Sequence, residues 1–282
     1  MLIIAGQPKA GTTSLFDWLA VHPDICPSQL KETRFFLDSR YPLQRPCSFD
    51  TDGWAEYSEL FPGSAGKVWL DATPDAMYSK TILDAAAVVP NGRVVVILRD
   101  PVARLVSAFL FFKQRALLPS KLGFDDWILQ QGENTLSPDT PVQWRALDHC
   151  RVEKYLSPLR GAWGDRLLEL EFTELVQSPS VLVSRVLRHV GVSDHHGVES
   201  NHKVSNKTKS VRWPRVNALF HSTRRYAASA LRRYPVAKRL MKPLSRQAMA
   251  MLETERTPPK PQITPRIESY IRTFSGVTGS SR

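Results

Sequence analysis

The chain has 282 residues, 42% apolar and 23% charged, which suits a globular protein with a substantial core. No apolar run approaches the roughly 18 residues that a membrane span needs, and three widely spaced cysteines (Cys26, Cys47, Cys150) argue against a disulfide framework or a zinc site. The net charge of +11 is local: residues 201–252 hold 13 Lys and Arg and no Asp or Glu, a block that suits a polyanion, an acidic membrane surface or a phosphorylated ligand.

Residue 1 leads straight into the apolar strand Leu2–Ala5 with no basic stretch or cleavage pattern before it, so no secretory signal is expected. The loop Gly6-Gln7-Pro8-Lys9-Ala10-Gly11-Thr12-Thr13-Ser14 then feeds a helix over 12–21. A glycine turn entering a helix N-terminus aims unpaired N–H groups at one point, and the positive end of the helix dipole adds to them. Lys9 supplies a charge there, and Thr12, Thr13 and Ser14 supply hydroxyls, so the loop reads as a cradle for a phosphate-like anion. It is not the nucleoside-triphosphatase loop, which ends in Gly-Lys-Ser/Thr, because Thr12 stands where that lysine belongs.

Further strands are expected at Val68–Leu70, Val94–Leu98 and Leu167–Leu170, and helices over 79–88, 102–117, 143–158 and 179–190. Such alternation predicts an α/β fold, a P-loop-type parallel sheet flanked by helices, with Val94–Leu98 buried on both faces. That strand ends in Arg99-Asp100-Pro101, where Pro101 starts a helix without losing a donor. Arg99 at a strand's carboxyl end and Ser107 about two turns into the helix suit a second phosphate. Arg104 is either another ligand or a partner of Asp100, and the run Phe109–Phe112 reads as core, as do Tyr155, Leu156 and Leu159. Pro-rich stretches at 42–46 and 258–265 read as loops, while residues 38–66 and 117–142 carry no interpretable pattern. Basic helices over 216–233 and 236–254 and a short helix from Ile263 to Phe274 complete one domain, an α/β core (1–215) with a basic helical C-terminal extension (216–282).

Two of these motifs together, Pro8-Lys9-Ala10-Gly11-Thr12-Thr13-Ser14-Leu15 and Leu98-Arg99-Asp100-Pro101 with Arg104, Ser107 and Phe109, resemble the sulfotransferases that use 3′-phosphoadenosine 5′-phosphosulfate (PAPS). The likeness to their carbohydrate branch, the heparan sulfate group and its bacterial relatives, extends through His22-Pro23-Asp24-Ile25, Lys31-Glu32-Thr33-Arg34-Phe35-Phe36, Asp71-Ala72-Thr73-Pro74 and Asn206-Lys207-Thr208-Lys209, over about 210 residues. The resemblance implies that Lys9, Ala10, Gly11, Thr12, Thr13 and Ser14 hold the 5′-phosphosulfate and that Arg99 and Ser107 hold the 3′-phosphate. Lys209 and Arg212 in a late polar loop, with Lys207, are expected to grip the 3′-phosphate or the adenine edge, and Trp213 is expected either to stack on the base or to anchor its loop. It also implies Glu32 as the base that takes the acceptor's proton, in competition with His22, Asp71 and His149, and Lys9 as the group that neutralises the leaving oxygen. Lys31 and Asp71 are expected at the acceptor. Heparan enzymes often carry a lysine where Ala72 stands, so the acceptor contacts here must differ.

The expected reaction is in-line sulfuryl transfer from PAPS to a hydroxyl, most readily on a glycan or glycoconjugate, leaving the bisphosphate PAP and requiring no metal. A kinase-like P-loop enzyme and a non-catalytic polyanion binder are the alternatives; no nucleic-acid partner is expected, and the basic C-terminal helices allow peripheral membrane contact. The expected location is the cytoplasm of a bacterium, or the Golgi lumen if an anchor has been removed.

Overall fold

Among the residues described by the computed structural model (1–43, 47–50, 53–133, 136–194 and 258–276, with the backbone of 210–211 and 253–254), five apolar segments form one parallel sheet. The strands are β1 (Leu2–Gly6), β2 (Ile25–Pro27), β3 (Val68–Ala72), β4 (Arg93–Leu98) and β5 (Leu167–Glu171), in the spatial order β2-β3-β1-β4-β5. In β4, Val94, Val95, Val96 and Ile97 are all fully buried, as the absence of polar positions requires of an interior parallel strand.

Alternation along the strands sorts these side chains into two cores. Leu2, Ile4, Val95 and Ile97 face α1 (Thr12–Leu19) and a late helix at Pro179–His189 through Leu15, Leu19, Leu182 and Val186. Ile3, Ala5, Val94 and Val96 face the opposite layer, which includes α2 (Gly53–Ser58), α3 (Lys80–Val88) and the aromatic side chains Phe35, Phe36, Tyr57 and Phe61. A third cluster joins α4 (Pro101–Gln114) and α5 (Phe124–Glu133) to the C-terminal helix through Leu105, Phe109, Trp127, Ile267 and Ile271. In chain order the remaining α-helices among the described residues are α6 (Val152–Trp163), α7 (Phe172–Gln177), α8 (Pro179–His189) and α9 (Pro265–Ser275).

Some expectations need correction. The single helix expected over 143–158 is two 3₁₀ turns, Val142–Trp144 and Asp148–Cys150, followed by α6. Buried side chains from neighbouring helices take the backbone groups that a continuous helix would pair internally: Arg104 donates to the Ala146 carbonyl (2.5 Å), Leu147 N donates to Gln131 Oε1 (2.9 Å) and Trp127 Nε1 donates to the Gln143 carbonyl (3.0 Å). The stretches without a readable pattern contain α2 and α5. The segment expected to end a basic helix at 254 instead has Glu253–Thr254 paired antiparallel with Ser210–Val211. The helices expected over 216–233 and the rest of 236–254 lie outside the described residues.

Candidate active site

The carboxyl ends of β1, β2, β3 and β4 open on one edge of the sheet, where ligands of open α/β folds bind. After β1 the chain turns through Gln7–Ala10 to Gly11, the N-cap of α1, at φ 85°. A Cβ at Gly11 would approach Leu175 to 3.0 Å and Phe172 to 3.3 Å, so both backbone conformation and space require glycine. Gly11 offers no side chain to occupy the amides of the first turn, and that turn holds no acidic residue, which leaves the positive helix end available to an anion. Thr12 and Ser14 are buried beneath this end, Ala10 is fully buried and Thr13 is half-buried.

The loops that follow β1 and β4 are tied to each other. Gln7, fully buried, donates its backbone N–H to the Ile97 carbonyl (2.9 Å) and accepts from Arg99 N through Oε1 (3.2 Å). Arg99 Nη1 returns a hydrogen bond to the Lys9 carbonyl (2.6 Å), so Lys9 and Arg99 stand side by side. Gln7 Nε2 and Arg99 Nε are buried without a protein partner, donors left over at a place where the chain has gathered positive charge.

That charge rests on aromatic rings. Lys9 Nζ sits 4.3 Å from the centroid of Phe111, the Arg115 guanidinium lies over the same ring at 5.4 Å, and Arg99 lies over Phe172 at 4.2 Å. Phe111, expected as core, is therefore a floor for the site's cations. Its spacing was a usable signal, because Phe111 follows the half-buried Ser107 by one turn on the same face of α4. Burial, and then the positive charges of Arg99 and Arg115, push the Lys9 ammonium down to about 8. Burial also lowers Arg99.

Lys31-Glu32-Thr33-Arg34 follows β2 and brings a carboxylate near Lys9. Glu32 and Arg34 both have left-handed backbone, at φ 65° and 63°. The Glu32 carboxylate lies 3.9 Å from Lys31 Nζ and 3.4 Å from Arg34 Nη2, and is close enough to Lys9 to oppose the lowering of that ammonium. The aromatic residues that follow do not surround it: Phe35 and Phe36 turn into the core, where Phe35 stacks on Tyr57 at 4.1 Å. Lys31, half-buried near Phe16, is lowered by burial, with Glu32, Asp17 and Asp71 opposing.

Asp71, expected to touch the acceptor, is fully buried and its oxygens are occupied: Thr33 Oγ1 (2.5 Å) and Tyr57 OH (3.0 Å) donate to Oδ2, and Thr73 Oγ1 donates to Oδ1 (3.3 Å). Burial raises its carboxyl despite these bonds. Sequence reasoning missed Asp75, two residues beyond Thr73. Burial raises Asp75 to about 6, it accepts from Tyr41 OH (2.6 Å), and its neighbouring charges include Glu32 and Arg34.

The competing bases fall away. His22 is buried, with Nδ1 accepting from Asp24 N (3.2 Å) and Nε2 3.1 Å from the Ser193 carbonyl. His149 is buried against Tyr78 at 3.6 Å, and burial, with Arg104 next, holds it well below the usual histidine range. Arg104 neither reaches the cleft as a ligand nor pairs with Asp100; it is buried and donates to the Ala146 carbonyl and Cys150 Sγ (2.9 Å). Asp100 instead caps α4 by accepting from Ala103 N (2.8 Å) and pairs with Arg272 of α9 (3.1 Å). Lys207, Lys209, Arg212 and Trp213 lie outside the described residues. Among the described residues, no helix is long and apolar enough to cross a membrane.

A family model described as "Sulfotransferase domain" matches residues 1–228. Human carbohydrate sulfotransferase 15 is 30% identical over 148 residues, covering 39% of this chain and 26% of its own length. Mouse heparan sulfate glucosamine 3-O-sulfotransferase 3B1 is 26% identical over 211 residues, covering 73% of this chain and 49% of its own. The chain thus spans between about a quarter and a half of these curated relatives. Among solved structures, a sulfotransferase from Alicyclobacillus acidocaldarius shares the fold at a TM-score of 0.59, with 22% identity over 68% of this chain and 81% of that one.

Proposed function

The chain belongs to the sulfotransferase domain family, and from that premise we propose that it moves a sulfuryl group from PAPS to a hydroxyl of a carbohydrate acceptor. The observation that supports this reading is the joining of the Lys9 and Arg99 loops through Gln7, which brings two cationic residues together. The residues fit a donor with several negative charges: an uncapped helix end, buried donors without partners and three cations on aromatic rings. The donor supplies the electrophilic sulfur and a phosphate leaving group.

In this reading, Lys9 and the amides from Ala10 to Ser14 hold the phosphosulfate and offset the charge that develops on the leaving oxygen. Arg99 and Ser107 hold the 3′-phosphate, with Lys209 and Arg212 as further ligands. Glu32 accepts the hydroxyl proton as the acceptor oxygen attacks, so the products are a sulfate ester, PAP and a protonated Glu32. Lys31 orients the acceptor beside Glu32. The carbohydrate assignment is supported by the names of the two curated relatives.

The test offers ³⁵S-labelled PAPS to a panel of glycans. Glu32→Gln is expected to bind PAP as wild type does and to lose about 10²- to 10⁴-fold in turnover, the usual contribution of a general base. Full turnover in Glu32→Gln removes the base assignment. A melting temperature raised by ATP with magnesium, but not by PAP alone, removes the donor assignment.

A further inference from the structure

We infer that Asp71 is a positioning residue that sets the Glu32 turn through the hydroxyls of Thr33 and Thr73, an inference that rests on the reading of Glu32 as the base. Glu32 and Arg34 both occupy left-handed backbone, although neither is glycine, and each carries a steric cost there. The surroundings must therefore hold the turn in place.

The holding contacts converge on one carboxylate. Thr33, between the two left-handed residues, donates its hydroxyl to Asp71 Oδ2 (2.5 Å) and accepts from Phe35 N (3.2 Å). Thr73 donates to Asp71 Oδ1 (3.3 Å) and accepts from Arg34 N (3.0 Å). Each hydroxyl thus relays one Asp71 oxygen to one backbone N–H just beyond Glu32, and Tyr57 OH closes the remaining side of Oδ2 (3.0 Å).

Asp71 and Thr33 are both fully buried, so neither is placed to touch an acceptor. Asp71 is the penultimate residue of β3 and lies opposite Ile3 of β1, whose continuation is the Lys9 loop. The carboxylate therefore references the Glu32 turn to the sheet that carries the anion cradle. An ionised carboxylate, which only accepts, matches three hydroxyl donors. Asn at this position presents an N–H₂ to at least one of them and breaks a relay.

The experiment measures ³⁵S leaving labelled PAPS, to a glycan mixture or to water, together with PAP affinity and melting temperature. Its variants are Thr33→Val, Thr33→Ser, Asp71→Asn, Glu32→Gln and Glu32→Gln/Thr33→Val. Thr33→Val keeps the shape and removes the hydroxyl. It should lower turnover by about tenfold or more, with PAP affinity within about twofold, and Thr33→Ser should recover most of the loss. In the Glu32→Gln background Thr33→Val should cost nothing further, since a residue acting through Glu32 has nothing left to position.

An equal loss from Thr33→Val in both backgrounds overturns the inference and makes the network mere support for the fold. So does undiminished turnover in Thr33→Val. Wild-type turnover in Glu32→Gln refutes the base assignment first and takes the inference with it, so the two failures are told apart. Should Asp71→Asn not fold, the Thr33 pair decides the matter.

Discussion

If Lys9 holds the donor as proposed, binding is expected to respond to pH in a range where most lysines are silent. Burial, helped by Arg99 and Arg115, brings its ammonium to about 8, with only Glu32 opposing among its strong neighbours. Lys9 is then about nine-tenths charged at pH 7 and about one-tenth charged at pH 9. PAP is a suitable probe, because its 3′- and 5′-phosphates, with second pKa values near 6, keep a constant charge over that interval. If PAP selects the charged lysine, its dissociation constant should rise about tenfold from pH 7 to pH 9, worth about 1.4 kcal/mol. Binding should also take up close to one proton at pH 9 and almost none at pH 7, which calorimetry in buffers of different ionisation enthalpy reads directly. Unfolding would not imitate this result: the folded pKa lies below the unfolded value of about 10.4, so between the two the unfolded chain binds more protons and this group adds stability as pH rises. Burial also lowers Lys31, so Lys9→Arg, charged throughout, separates the two and should bind PAP with little pH dependence. A flat wild-type profile, or the same slope in Lys9→Arg, refutes the reasoning.

Two further substitutions probe the frame. Gly11→Ala must hold φ 85° with a methyl 3.0 Å from Leu175, so it should lose about 1–3 kcal/mol in urea denaturation and weaken PAP binding as the helix end shifts. Ile271→Ala empties a fully buried position of α9, and a loss of about 2–5 kcal/mol is expected by the same measurement. An unchanged midpoint would mean that α9 is not part of the cooperative fold.

The sheet was legible because parallel strands buried on both faces are apolar along their length, as β1 and the Val94–Leu98 run of β4 are. β2 was not, since Ile25-Cys26-Pro27 is too short to show a period and contains a proline. The Gly11 turn into α1 could be read from sequence because the glycine and the helix it starts are contiguous. Glu32 came from the resemblance alone, and its left-handed turn has no signature in residues that avoid that conformation. Asp71 was noticed for the wrong reason: a carboxylate at a strand end looks like a ligand until Thr33 and Tyr57, from elsewhere in the chain, are seen to occupy it. Phe111 and Phe172 escaped for a similar reason, since a ring beneath a cation differs from a core ring only in what stands over it.

The aromatic floor also resolves an electrostatic difficulty. Lys9, Arg99 and Arg115 repel one another, and water would relieve that repulsion only by remaining where the proposed donor would sit. Rings under Lys9, Arg99 and Arg115 offset part of it, about 0.5–2 kcal/mol for each contact, without filling the cleft. The Arg99 hydrogen bond to the Lys9 carbonyl fixes the Arg99 side chain against the first loop, so the donor proposed above would need to order neither. Affinity of that origin comes from preorganisation, so altering Gln7 or Arg99, even to a side chain of the same charge, is expected to weaken PAP binding.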